Sequence, residues 1–333
     1  MPVAAREDVM AEAAARSDVA SGDMRVRLTG IRYAAKDISL FEFCRVDGGA
    51  LPPAEPGSHV DVRLPNGLVR QYSLVESGEQ PAAYTVAVKK EASGRGGSRY
   101  LHDQVKVGDE LVLGAPRNNF PLHQDGAPAI LIAGGIGITP LWCMASHLQR
   151  QGADWRLYYA CRDRTAMAFY DSAARLDSVH LHFDDESGGA GLDLMKIVAE
   201  APRDAHLYCC GPAPMLSAFA EATKAWPADR CHVEHFALTQ PLRSGGGFTV
   251  VLAKSGVEMF VPEGRSIAHV LIEAGIDVAT SCEQGFCGTC EVRVLDGAPE
   301  HNDSILSEKD RASNRTAMIC CAGSKTERLV LDL

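Results

Sequence analysis

The chain has no excess of positive charge: 33 Lys and Arg stand against 43 Asp and Glu in 333 residues, a formal net charge of −10. Nucleic acid is therefore not an expected partner, because phosphate recognition needs a basic face. A long apolar run free of helix breakers is also missing. The one uncharged stretch of membrane-like length, residues 127–148, contains Gly134, Gly135, Gly137 and two prolines. It reads as a strand, a phosphate loop and a helix start, so no membrane association is expected. Residues 1–23 are alanine-rich but carry Arg6, Glu7, Asp8, Glu12, Arg16 and Asp18 in place of a signal-peptide core. They read as a short surface helix or a frayed tail. Cysteine is not scarce, but a disulfide framework is. Cys44, Cys143, Cys161, Cys209, Cys210, Cys231 and Cys321 are scattered without pairing spacings, which favours a reducing cytoplasm.

What is present is length for two or three cores and a globular composition, 46% hydrophobic and 23% charged. Cys282, Cys287 and Cys290 are separated by four and then two residues, and Cys320 follows at a distance. That is the plant-type [2Fe–2S] spacing. Two irons need four thiolates, and a loop can offer three if it bends round the cluster; Gly285 and Gly288 permit the bend and close backbone approach. A zinc loop would set its cysteines in two separate pairs. Cys320 and Cys321 both compete for the fourth position. If the segment is extended, only one of them can face the cluster.

Between Met24 and Pro121, short runs such as Arg25-Val26-Arg27-Leu28, His59-Val60-Asp61-Val62 and Tyr84-Thr85-Val86-Ala87-Val88 are broken by Gly and Pro. This pattern predicts a small antiparallel β-barrel. Residues 125–236 change character: apolar strands at 129–133, 156–160, 179–183 and 206–210 alternate with helical patterns, which predicts a parallel sheet with its ligand at the strand C-termini. The loop Gly134-Gly135-Ile136-Gly137-Ile138-Thr139-Pro140 is not a full Gly-x-Gly-x-x-Gly fingerprint, because Pro140 takes the third glycine position. Residues 237–247 read as a flexible linker. Beyond them, a hairpin pattern, a helix over 266–274 and late strands surround the cysteine loop.

Arg70-Gln71-Tyr72-Ser73, followed by the Gly-rich Gly94-Arg95-Gly96-Gly97-Ser98, resembles the flavin-binding barrel of the ferredoxin reductase superfamily. Gly-Gly-x-Gly-x-Thr-Pro and the later Cys210-Gly211-Pro212 are similar to the nucleotide domain of the same reductases, and the C-terminal segment resembles the β-grasp of plant-type ferredoxins. Taken in this order, the three units resemble the phthalate dioxygenase reductase family, which includes the vanillate demethylase reductases.

The resemblance implies a multidomain β and α/β fold: an N-terminal tail at 1–23, an FMN barrel at 24–123, an NAD(P)H domain at 124–236, a linker at 237–247 and a ferredoxin domain at 248–333. It implies FMN, with FAD as the alternative, a [2Fe–2S] cluster, and NADH, with NADPH as the alternative. The flavin would be held by Arg70 on its phosphate, Gln71, Tyr72 beside its ring, Ser73 near N5, Ala87, Val88, Lys89, Gly96, Gly97 and Ser98. The nucleotide would meet Gly135, Gly137, Ile138, Thr139, Arg162, Cys210, Gly211 and Pro212, with Phe236 against the flavin. Ser73, Cys210 and Glu234 would assist hydride transfer, and Cys282, Cys287, Cys290 and Cys320 would hold the iron. His235 beside them reads as a packed or surface histidine. The implied function is a cytoplasmic, monomeric reductase that passes electrons to a Rieske-type aromatic oxygenase. A reductive dehalogenase or cytochrome P450 is the alternative acceptor, and an iron–sulfur binding or sensor protein a remote one.

Overall fold

The computed structural model describes residues 22–92, 96–236, 247–280, 282, 283, 285 and 287–333. The tail expected before residue 22 and the linker at 237–246 lie outside the described residues, as do Gly94 and Arg95.

The first layer is a six-stranded antiparallel sheet made from β1 (Met24–Ala35), β2 (Ile38–Arg45), β3 (His59–Arg63), β4 (Val69–Ser73), β5 (Tyr84–Lys89) and β6 (Glu110–Leu113), in the order β4-β3-β6-β1-β2-β5. Alternation drives it: Met24, Val26 and Leu28 point inward, while Arg25 and Arg27 point out and pair with Glu110. The sheet closes on itself where Leu74 bridges Val86 and Val75 N–H donates to Thr85 O at 3.0 Å. Between β5 and β6 a short helix, α1 (Gly97–Asp103), seals the barrel with the buried Leu101.

The second layer is a parallel sheet of β7 (Ala129–Gly134), β8 (Trp155–Cys161), β9 (Val179–Phe183), β10 (His206–Cys210) and β11 (Cys231–Glu234), ordered β11-β10-β7-β8-β9. Every residue of β7 and β10 is buried. Helix α2 (Ile138–Gln151) covers one face; α3 (Tyr170–Ala173) follows β8, and α4 (Leu194–Glu200) and α5 (Ala213–Ala222) cover the other face. Pro140 is tolerated in α2 because it lies in the first turn, where backbone N–H groups have no helical partner. Strand order reverses around β7, so the crevice at the C-terminal ends of β7 and β10 is the ligand position of this architecture.

The third layer orders β12 (Phe248–Leu252), β13 (Glu258–Val261), β14 (Glu291–Asp296), a strand pair of β15 (Pro299–Glu300) with β17 (Gly323–Ser324), β16 (Thr316–Met318) and β18 (Arg328–Leu331). Its main sheet runs β13-β12-β18-β14-β16. The hairpin of β12 and β13 is as the sequence suggests, but β18 inserts parallel to β12. Helix α6 (Ile267–Glu273), capped by Ser266, buries Ile267, Ala268 and Leu271 against this sheet, and α7 (Glu308–Ser313) precedes β16.

The layers are joined. One hydrophobic cluster takes Ile38, Val75, Ala87 and Phe120 from the barrel side and Leu131, Leu141 and Met144 from the parallel-sheet side. Gly57 has φ +93° and would place a Cβ 1.9 Å from the Phe120 carbonyl oxygen, so only glycine lets that segment pass.

Candidate redox site

The cysteine loop is shaped by its glycines. Gly285 has φ +73°, and a Cβ there would lie 2.4 Å from Cys321 Sγ and 2.9 Å from Asp303 Cα; Gly288 has φ +78°. Cys282, Cys287, Cys290 and Cys320 are all buried, and side-chain contacts link them in the chain 287–282–320–290. Four buried thiols in mutual contact are the donor set that a [2Fe–2S] cluster needs, so these residues fit the cluster implied by the spacing. Of these four, Cys321 touches only Cys320, and its thiol donates to the Met318 carbonyl at 3.5 Å. The reason is not strand alternation. Residues 319–321 form a turn in which both Cys321 and Ala322 donate backbone N–H groups to Met318 O, and the turn directs the two thiols differently.

The flavin candidates lie on and beside β4. Arg70 is folded over Gly97, where a Cβ would stand 2.5 Å from Arg70 Cγ, and its Nη1 donates to Val69 O at 2.7 Å. Gly96, at φ +87°, precedes α1. Ser98 Oγ accepts from Glu91 N–H at 3.1 Å. Gln71 carries a buried Nε2 with no hydrogen-bond partner, Tyr72 is half-buried with its phenol pushed up by burial, and Ser73 is buried. The glycine cradle under a guanidinium and the orphaned amide fit a phosphorylated planar ligand. On β5 the side chains of Ala87 and Val88 are committed to hydrophobic cores, and Lys89 pairs with Glu91 at 2.6 Å. Of these three expected contacts, Ala87 and Val88 leave only their main chains for a ligand.

At the switch point the two nucleotide loops interlock. A Cβ on Gly137 would lie 2.3 Å from the Cys210 carbonyl oxygen, one on Gly134 would lie 2.6 Å from Pro212 Cδ, and one on Gly211 would lie 2.7 Å from Met215 Sδ. The glycines thus serve loop-to-loop approach as well as any phosphate. Gly135 takes φ +54° with open space around it. Ile138 is wholly buried, and Thr139 donates its hydroxyl to Ile136 O at 3.2 Å, so its role is to tie the turn.

Cys210 and Glu234 face each other in register at the ends of β10 and β11. Burial, helped by the Glu234 carboxylate, pushes the Cys210 thiol well above its usual range. Burial pushes Glu234 up to about 8, and its Oε2 has no partner. His235 Nδ1 is likewise shielded and unpartnered, and burial lowers its pKa. Phe236 packs half-buried against the inter-domain cluster. The site therefore presents a neutral thiol and a carboxyl able to hold its proton near neutrality.

After β8, Arg162 is exposed. Asp163 accepts from Ala166 N–H at 3.1 Å and from the Thr165 hydroxyl, so it caps a helical turn. Arg164 stacks over Tyr170 and Phe183, donates to Tyr170 Oη at 2.8 Å and reaches Glu186 at 3.5 Å.

Sequence reasoning missed one set of contacts. The segment after β6 touches the cysteine loop: Arg117 Nη1 donates to Thr289 Oγ1 at 3.0 Å, and Asn119 Nδ2 donates to Cys287 O at 3.3 Å. The only sequence signal was a polar triplet, Arg117-Asn118-Asn119, between two prolines.

Comparison with known proteins agrees with this geometry. Residues 131–221 match the oxidoreductase NAD-binding domain, and residues 250–324 match the 2Fe-2S iron-sulfur cluster binding domain. The protein is thus a nicotinamide-linked iron–sulfur oxidoreductase. It is 45% identical over 309 residues to phenoxybenzoate dioxygenase subunit beta of Ectopseudomonas oleovorans, covering 92% of this chain and 97% of the relative. It is 45% identical over 324 residues to tetrachlorobenzoquinone reductase of Sphingobium chlorophenolicum, covering 95% and 99%. The solved structure of phthalate dioxygenase reductase, described as a modular structure for electron transfer from pyridine nucleotides to [2Fe-2S], superposes with a TM-score of 0.76 at 36% identity, covering 94% of this chain and 98% of that one. The chain belongs to the phthalate dioxygenase reductase family.

Proposed function

We propose that the protein is the NADH-dependent reductase component of a two-component Rieske-type aromatic oxygenase or demethylase. Bound together, a nicotinamide supplies two electrons as hydride, FMN divides them and a [2Fe–2S] cluster passes them singly. Residues 24–123 would hold FMN, residues 124–236 NADH and residues 248–333 the cluster. Arg70 binds the flavin phosphate, Tyr72 flanks the ring and Ser73 hydrogen-bonds near N5. Gly96, Gly97 and the main chain of residues 87–89 shape the pocket. The interlocked loops at Gly135, Gly137 and Gly211 admit the nucleotide; Cys210 packs beside the nicotinamide, and Glu234 holds a proton for polar contact with it. Phe236 excludes water on that side.

The observation that carries this reading is the contact between the barrel and the cysteine loop, Asn119 Nδ2 to Cys287 O at 3.3 Å. It supports the reading because the segment after β6 pairs with β3, the neighbour of the strand that carries the flavin motif, and short-range electron transfer needs the two candidate cofactor sites close together. NADH over NADPH is supported by Arg164, which is already engaged with Tyr170, Phe183 and Glu186. The acceptor is a terminal oxygenase, engaged transiently by a monomeric reductase in the cytoplasm; among the described residues no helix is long and apolar enough to cross a membrane. The similarity to a tetrachlorobenzoquinone reductase favours a second reading, in which a quinone is the acceptor. The test is to purify the protein, quantify flavin and iron, and follow NADH consumption with a candidate Rieske oxygenase and with a halogenated quinone. Coupled oxygenase turnover supports the proposal. Quinone reduction with no oxygenase turnover favours the second reading.

A further inference from the structure

One guanidinium joins β3 of the barrel to a side chain of the cysteine loop. Arg117 is fixed by its backbone, which exchanges both hydrogen bonds with His59 on β3, at 2.9 and 3.0 Å. Two residues further along β3, the buried Asp61 accepts Arg117 Nη2 on both carboxylate oxygens, at 2.7 and 2.8 Å. This clamp directs Nη1 to Thr289 Oγ1, 3.0 Å away. Thr289 lies between Cys287 and Cys290, and its Oγ1 is 3.3 Å from Cys287 Sγ.

The donor inventory sets the direction of these bonds. A guanidinium can only donate, so the Thr289 oxygen accepts from Arg117. A ligating Cys287 is a thiolate and can only accept, so the Thr289 hydroxyl proton points at its sulfur. Asp61 holds the guanidinium in place. What reaches the sulfur is a hydroxyl polarised by the cation behind it. Hydrogen bonds to ligand sulfurs stabilise the added negative charge of the reduced state.

We propose that Arg117, clamped by Asp61, is a positioning residue that acts through Thr289 to raise the reduction potential of the cluster and to hold the cysteine loop in register with the barrel. This inference rests on the cluster reading above and adds an inter-domain relay to it.

The experiment measures the cluster potential in the full-length holoprotein by EPR-monitored redox titration, for wild type, Arg117→Ala, Thr289→Val, their double variant and Thr289→Ser. Amide hydrogen exchange over residues 287–291 is followed in the same samples. The relay predicts that Arg117→Ala and Thr289→Val each shift the reduction equilibrium about tenfold toward the oxidised state, about 59 mV for a one-electron couple. The double variant should be no lower than the lower single variant, since the two residues act in series. Thr289→Ser should keep the wild-type potential, and Arg117→Ala should speed exchange in the loop. Unchanged potentials in Arg117→Ala and Thr289→Val that retain iron overturn the relay, and so does an additive shift in the double variant. If Thr289→Val loses iron, Arg117→Gln paired with Thr289→Ser gives the same decision: a lowered potential in the first and not in the second supports the relay, and any other pattern overturns it. Wild-type protein with no iron and sulfide would overturn the cluster reading itself, and the relay with it.

Discussion

Gly137 and Cys210 meet at the switch point of the parallel sheet, with the place of a Gly137 Cβ only 2.3 Å from the Cys210 carbonyl oxygen. The first nucleotide loop can therefore seat against the second only while residue 137 has no side chain. Gly137→Ala should push the loops apart, lower stability by about 1–3 kcal/mol as overpacking does, and raise the KM for NADH at least tenfold. Thermal unfolding and steady-state kinetics with an artificial acceptor check both effects. A variant with wild-type KM would mean that the loops tolerate separation.

Glu234 gives a pH dependence of definite sign. Its carboxyl is pushed up to about 8 from 4.5 by burial. Below the unfolded value the group is protonated in both states. As pH rises through that value toward 8, the unfolded chain releases a proton that the folded chain keeps, so stability is lost through this window. Melting curves from about pH 5 to about pH 9 should show the wild type losing roughly 2–5 kcal/mol relative to Glu234→Gln. Parallel curves would remove the buried, proton-holding role of this residue.

The fourth iron ligand separates two adjacent residues. Cys320→Ser should strongly perturb the visible absorption and EPR of the cluster, whereas Cys321→Ser, which keeps a hydroxyl in place of the thiol that meets Met318 O and Cys320, should leave both nearly unchanged. The reverse result would move the ligand to Cys321.

Much of this was legible because it is local. The spacing of Cys282, Cys287 and Cys290 with their glycines sits within nine residues, and the alternation in β1 or the apolar run of β7 names its own strand. What was not legible depends on distant partners. Nothing near Gly137 announces Cys210, and nothing near Arg117 announces Thr289, which is 172 residues away. Ala87 and Val88 illustrate the same limit in a different way. Their residue types suit a ligand wall, but the barrel's closure and its packing on the parallel sheet turn both side chains into cores. Cys320 was the expected ligand, yet the geometry behind it is a turn rather than an extended strand.

Nucleotide choice follows from Arg164. Engaged with Tyr170, Phe183 and Glu186, it would have to leave these contacts to grip a 2′-phosphate, so kcat/KM should favour NADH over NADPH by at least tenfold. Glu186→Ala, which frees one side of the guanidinium, should narrow that ratio. A wild-type preference for NADPH would show that Arg162 and Arg164 act together on the extra phosphate.

Docking to the acceptor should be electrostatic. Residues 248–333 hold eight Lys or Arg and thirteen Asp or Glu, a net charge of −5, and Glu283 and Glu291 flank the ligand cysteines. Reversal of either charge should mainly slow association with the oxygenase, and added salt should shrink the difference. Rates that are equal for wild type and reversal variants at all ionic strengths would remove this face from the mechanism.

A chain that holds nicotinamide, flavin and cluster together should convert a hydride into single electrons. Anaerobic stopped-flow mixing of the holoprotein with NADH tests it most directly, with flavin absorbance followed optically and the cluster followed by freeze-quench EPR. Flavin should bleach first and a reduced [2Fe–2S] signal should follow, in the same molecule and at a rate independent of protein concentration. A cluster that stays oxidised while the flavin is fully reduced, or one whose reduction rate rises with protein concentration, would contradict it.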